Sequence, residues 1–232
     1  MPNTYTISVT NQSGNTQQYA LFNEPPKVTA NVDPKVWVNA VKVVPVGPGS
    51  TAKFTITSQY YGYVGSSDGK PGQDNVAVSV AATKPMTLGS KALDGTATPG
   101  DTWNMDVISG APQFTTKGNS TGKLGAFCIN TAPGTDKNNF SFQSAQENGW
   151  VIGLGKIVNG EELAAATIVP QPNCAYQVQP VNIWYITYGD YQSGQVCNFE
   201  MTGLTKATVD FTSGTSNAKV VHSAGGQITT QV

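Results

Sequence analysis

Residues equipped for acid–base or nucleophilic chemistry are few in this chain. There is one histidine, His222, in Val220-Val221-His222-Ser223, and there are three cysteines, Cys128, Cys174 and Cys197. A Ser-His-Asp or Cys-His pair would have to draw on His222, and no G-x-S-x-G elbow presents a serine to it. His222 is therefore expected to be a structural residue at a strand end. Cys128 and Cys197 lie in apolar stretches poor in Lys and His, surroundings that raise a thiol pKa and suppress the nucleophilic thiolate. An odd number of cysteines without C-x-x-C spacing predicts reduced, buried thiols in a reducing compartment. The alternative is an intermolecular disulfide through Cys128, Cys174 or Cys197.

The acidic residues offer no better constellation. Asp101 and Asp106 flank Trp103, and the neighbours Glu161 and Glu162 would face opposite sides of a strand, which denies them the paired geometry of a glycosidase. Asp94-Gly95-Thr96 reverses the aspartic-protease order. The segment from Asp68 to Asn75 misses the D-x-[DN]-x-[DN]-G spacing of a calcium loop and contains Lys70. Gly47-Pro48-Gly49-Ser50-Thr51 lacks the Gly-Lys of a phosphate loop, and Gly153-Leu154-Gly155 lacks the third glycine of a dinucleotide fingerprint. The expectation is a non-enzyme with no cofactor and no bound metal.

Two aromatic clusters remain as binding candidates: Gln59-Tyr60-Tyr61-Gly62-Tyr63, and the run from Trp184 to Tyr191 that includes Tyr185, Tyr188 and Asp190. On a strand, Trp184, Ile186 and Tyr188 would share one face and Tyr185 and Thr187 the other, so one set could fill a core while the other meets a partner. Tyr60, Tyr61, Tyr63, Trp184, Tyr185, Tyr188, Asp190 and Tyr191 are thus candidates for stacking on a sugar or for packing against another copy of the chain. Burial of most of these rings in a core is the simpler expectation.

Positioning any of them falls to β structure. The 25 glycines and 14 prolines punctuate short alternating segments such as Tyr5 to Val9, Ala52 to Thr57, Val76 to Ala81, Thr102 to Ile108 and Trp150 to Leu154. Longer runs, Val36 to Val46 and Tyr176 to Thr187, also alternate, and about fourteen strands are expected in all. Pro45 and Pro180 should mark edges or bulges, because proline cannot donate to a ladder. Only the stretch from Gly160 to Ala166 has helical composition, and it is short enough to be a strand entry instead. The predicted fold is all-β: an antiparallel sandwich, jelly-roll or Greek-key-like, with minimal helix. One unit over residues 1–232 is expected, with a long loop near 116–123.

Charge restricts the partners. Charged residues are 12 % of the chain, 13 basic against 14 acidic, for a formal net charge of −1, and every basic residue is Lys. Without arginine there is no bidentate fork for phosphates or guanine edges, so nucleic acid is not an expected partner. Near-zero net charge removes the repulsion that keeps copies apart, which favours self-association into an oligomer or lattice. No apolar run approaches the roughly 20 residues that span a bilayer, so no membrane partner is expected. Met1 to Ile7 shows neither a basic nor an apolar leader region, which leads to an expected cytosolic location. A glycan is the alternative partner, through a lectin-like module.

The segments Ile7-Ser8-Val9-Thr10-Asn11-Gln12-Ser13-Gly14, Tyr19-Ala20-Leu21-Phe22-Asn23-Glu24-Pro25-Pro26, Val178-Gln179-Pro180-Val181-Asn182 and Tyr188-Gly189-Asp190-Tyr191 resemble a small β-rich family of fungal and bacterial proteins. That family includes the matrix protein of the octahedral crystals of zygomycete fungi, dense gravity-sensing bodies in vacuoles. The resemblance implies a non-catalytic, self-assembling structural protein and a vacuolar location, the latter at odds with the missing leader. Its motifs are strand and turn segments, so it assigns no residue a role.

Overall fold

A computed structural model describes residues 3–73, 75–197 and 205–231. The described chain is nearly all β, as the alternation predicts, and one six-residue helix, Phe142–Glu147, interrupts it. Thr4–Asn11 shows how the pattern works: Ile7, Val9 and Asn11 turn inward while their neighbours stay partly exposed. Buried Asn11 spends its amide on two carbonyls, of Val46 and Asn15, each at 2.8 Å, so its polarity is satisfied.

A nine-stranded sheet forms the largest layer. In order it runs Val196–Cys197, Trp37–Asn39, Glu161–Ile168, Trp150–Val158, Thr51–Ser67, Thr4–Asn11, Asn217–His222 and Ile228–Gln231, with Val78–Met86 also paired to Thr51–Ser67. The 17-residue strand Thr51–Ser67 pairs with Thr4–Asn11 through its first half and with Val78–Met86 through its second. The pairing of Trp150–Val158 with Glu161–Ile168 demands glycine at one position: a Cβ on Gly153 would lie 1.9 Å from the Ala166 carbonyl oxygen.

A five-stranded sheet runs Ala111–Lys117, Thr102–Ile108, Phe127–Thr131, Ala175–Gln179 and Lys27–Thr29, and a four-stranded one runs Lys206–Asp210, Ile183–Tyr188, Gln17–Asn23 and Lys42–Val46. One apolar cluster joins these three sheets, taking in Ile7 and Phe54 from the first, Phe127 and Tyr176 from the second, and Leu21 and Trp184 from the third. Burial of this continuous cluster is the main stabilising term.

The differences from the sequence expectation have local causes. Val36 to Val46 is not one strand, because the chain leaves the nine-stranded sheet after Asn39 and joins the four-stranded sheet at Lys42. Pro180 likewise ends one strand at Gln179, and the chain changes sheets before Ile183. Pro45 sits on the edge strand, where its missing N–H costs nothing. Gly160 to Ala166 enters a strand, Glu161–Ile168, rather than a helix. The actual helix is held by a capping box in which the Ser141 hydroxyl accepts from the Ser144 N–H and the Ser144 hydroxyl from the Ser141 N–H, at 3.0 and 2.8 Å. Among the described residues two of the strand pairs are parallel, Thr4–Asn11 with Asn217–His222 and Thr102–Ile108 with Phe127–Thr131, against an all-antiparallel expectation. The segment near 116–123 begins in a strand and becomes a loop tied to Gly100 by an antiparallel bridge at Gly122. Of the expected strand from Val196 to Met201, Val196–Cys197 is seen and the rest lies outside the described residues.

Candidate functional site

The chemically capable side chains are drawn into the core rather than gathered at a cleft. His222 ends a strand, as expected, and is buried. Its Nδ1 shares a 2.8 Å hydrogen bond with the Tyr19 hydroxyl, and the Tyr188 ring stacks on it at 4.1 Å between centroids. Burial holds the imidazole pKa below its ordinary value, and burial together with the nearby Tyr188 pushes Tyr19 up to about 12. Both groups are neutral near pH 7, and the Tyr19 hydroxyl and His222 Nδ1 pair with each other.

Cys128, Cys174 and Cys197 are free thiols. Cys128 is buried with its Sγ 3.3 Å from the Asn130 Oδ1, and burial raises its pKa. Cys197 is partly buried and burial pushes it up to about 11. Little thiolate forms at neutral pH at either position.

The aromatic candidates divide. Tyr63 and Trp184 are fully buried. The Tyr63 hydroxyl opens a buried relay: it is 2.7 Å from the Thr167 hydroxyl, which donates to Asn39 Oδ1 at 2.7 Å, while Asn39 Nδ2 donates to the Gly194 carbonyl at 3.0 Å. Trp184 donates from Nε1 to Asn182 Oδ1 at 3.0 Å. The opposite face of the Trp184 strand is covered too, since Tyr185 packs beside a second small cluster of Ala20, Phe22, Val38 and Ala40. Tyr185 also donates its hydroxyl to the Glu24 carboxylate and lies under the Lys206 ammonium, and burial with the Glu24 contact pushes its pKa up to about 12. Tyr188, Tyr191 and Tyr61 keep part of their rings at the surface, and Asp190 is exposed. The structure brings Tyr185 and Tyr191 together beside the small cluster but leaves Tyr60, Tyr61 and Tyr63 on a different sheet.

One reactive group escaped the sequence reading. Lys156, within Trp150–Val158, is 2 % exposed and holds its Nζ 4.0 Å from the Tyr60 ring centroid and 5.9 Å from that of Trp184. Burial lowers its pKa to about 7. The available signal was a lone lysine inside the apolar run Val151-Ile152-Gly153-Leu154-Gly155-Lys156-Ile157-Val158.

Apolar surface gathers at the two ends of the five-stranded sheet. Leu93 is fully exposed, on a hairpin formed by Ser90–Lys91 and Ala97–Thr98, and Leu124 is 65 % exposed beside it. Ile108 and Phe142, 42 and 41 % exposed, lie at the other end. There the Trp150 indole donates to the Gly110 carbonyl at 3.0 Å and Phe140 packs edge-on against Trp150, which brings the Ile108 turn to the helix. No cluster of three or more His, Cys, Asp or Glu side chains able to hold a metal occurs among the described residues.

One family model, described as RhiA, matches residues 2–232. No curated protein and no solved structure matches the chain.

Proposed function

The chain belongs to the RhiA family, and on that premise we propose that it is a non-catalytic structural protein that associates with copies of itself. The observation that carries this reading is the exposure of Leu93, Leu124, Ile108 and Phe142 at the two sheet ends of a chain whose net charge is −1. Burying such side chains against another copy gains about 25 cal/mol per Å² of apolar surface, with little electrostatic repulsion to oppose it. The enclosure of His222, Lys156 and Cys128 agrees with it, because their chemistry serves the fold. A dense crystalline body, cytosolic or vacuolar, is the specific form of assembly proposed.

Size-exclusion chromatography with light scattering on untagged protein tests this. A mass that climbs from 24.3 kDa with loading concentration supports it, and a constant monomer mass removes it. A lectin-like role is a second reading, favoured by the partly exposed Tyr185 and Tyr191, which share one small cluster, with exposed Asp190 next in the chain to Tyr191. A glycan array on which the Tyr191→Ala variant loses a signal given by the unaltered protein would support it, and an empty array would remove it.

A further inference from the structure

The strand Thr102–Ile108 runs between the two apolar ends, and at about 3.3 Å per residue it holds them roughly 20 Å apart. At its Thr102 end the Gly100–Gly122 bridge, with hydrogen bonds of 2.9 and 3.0 Å, brings the loop carrying Lys123 and Leu124 to the hairpin carrying Lys91 and Leu93. A Cβ on Gly100 would come 2.1 Å from the Ala126 carbonyl oxygen, so the close approach depends on glycine. Lys27 joins the same end, because its strand pairs Lys27 with Gln179 and a groove of about 270 Å³ runs from Lys27 to Lys123 and Leu124. On the other side of Leu124 lies a more apolar groove of about 230 Å³, lined by Lys91, Ala97 and Pro99. Lys27, Lys91 and Lys123 thus gather at this end; of the nearby carboxylates, Asp94 is exposed on the hairpin turn and Asp101 is paired with Lys117 at 2.6 Å.

The Ile108 end has the opposite sign. Asp106 is tied to Asn138 at 2.9 Å, and the loop and helix that follow carry Asp136 and Glu147, both exposed. Asp68 lines a shallow polar depression with Glu147. These four carboxylates are accompanied by Lys70 and Lys137. One end of the sheet is thus basic with apolar grooves around Leu124, and the other is acidic with Ile108 and Phe142 projecting.

We propose that the Ile108–Phe142 end of one molecule docks on the Leu93–Leu124 end of the next, head to tail. Like ends repel and unlike ends attract, so a contact between two different patches is favoured over a two-fold dimer. A contact of this kind leaves one free patch of each sign at every stage, and the assembly grows without closing unless its rotation makes a ring. The proposal rests on the self-association reading and specifies which surfaces meet.

Charge reversal tests it. Lys91→Glu with Lys123→Glu makes both ends acidic, and Asp136→Lys with Glu147→Lys makes both basic; all four positions are exposed. Each double variant alone should associate at least ten-fold more weakly than the unaltered protein in sedimentation velocity at low salt. An equimolar mixture should recover association, because acidic ends then meet basic ones. Circular dichroism confirms that both variants are folded. Folded variants that associate as well as the unaltered protein, or a mixture that stays monomeric, overturn the head-to-tail contact while self-association stands. An unaltered protein that is monomeric throughout overturns both.

Discussion

Replacing Lys156 by methionine should stabilise the protein, and more so in acid than in alkali. Burial holds the amine near 7 in the folded state, against the ordinary lysine value of 10.5 in the unfolded chain. Between those values the unfolded chain holds the extra proton, so this group's contribution rises with pH through that window. Below pH 7 both states are protonated and the full cost of burying an ammonium is borne. The shift corresponds to about 5 kcal/mol in total, of which about 3 kcal/mol falls between pH 6 and pH 9. The Tyr60 ring, 4.0 Å from the ammonium, works against the desolvation and returns about 1–2 kcal/mol. Tyr60 stays neutral across this range because burial raises its pKa, and Glu161, two residues from Lys156's partner Leu163 on the adjacent strand, is paired with Lys42 at 2.7 Å. The Lys156→Met variant should therefore gain about 1–3 kcal/mol more at pH 6 than at pH 9 in urea unfolding. An advantage independent of pH, or a variant less stable than the unaltered protein at pH 6, would refute the assignment of a desolvated amine.

His222→Ala should cost about 2–4 kcal/mol by opening a cavity and leaving the Tyr19 hydroxyl without its partner, measured by thermal unfolding. Because burial lowers the His222 pKa, its contribution to stability should be full above pH 6.5 and decline as pH falls below that value; a flat acid limb in this variant's difference curve would contradict it. Gly153→Ala forces a Cβ against the Ala166 backbone and should cost more than about 3 kcal/mol or abolish soluble expression, where a silent substitution would contradict the pairing. The thiols of Cys128 and Cys174 should react with a disulfide reagent only on unfolding, and a native-state burst of either would contradict their burial.

Much of the fold was legible because alternation survives in the sequence. Thr4–Asn11 and Thr102–Ile108 carry one buried and one open face, and Pro45 marks its edge. The sheet changes within Val36 to Val46 and Tyr176 to Thr187 were not legible, since alternation records which face is buried and not which sheet supplies the neighbours. Ala111–Lys117 was missed because Pro112 and three polar residues, Thr115, Thr116 and Lys117, hide its pattern. The Phe142–Glu147 helix is too short to show a period, although Ser141 and Ser144 stand at capping-box spacing.

The functional candidates fared less evenly. Trp184 and Tyr63 followed the simpler expectation of core burial. Lys27, Lys91 and Lys123 are scattered along the chain, as are Asp106, Asp136 and Glu147, and the five-stranded sheet, with the hairpin at one end and the helix at the other, collects each set. Lys156 was visible as a type violation within an apolar strand, but its partner rings on two other strands were not.

Self-association is tested most directly by sedimentation equilibrium of the untagged protein over a wide concentration series, near neutral and mildly acidic pH, with and without reductant. The account predicts a weight-average mass that rises steadily above 24.3 kDa with concentration, falls with added salt, and is indifferent to reductant. A mass of 24.3 kDa at every concentration and in every condition would contradict it.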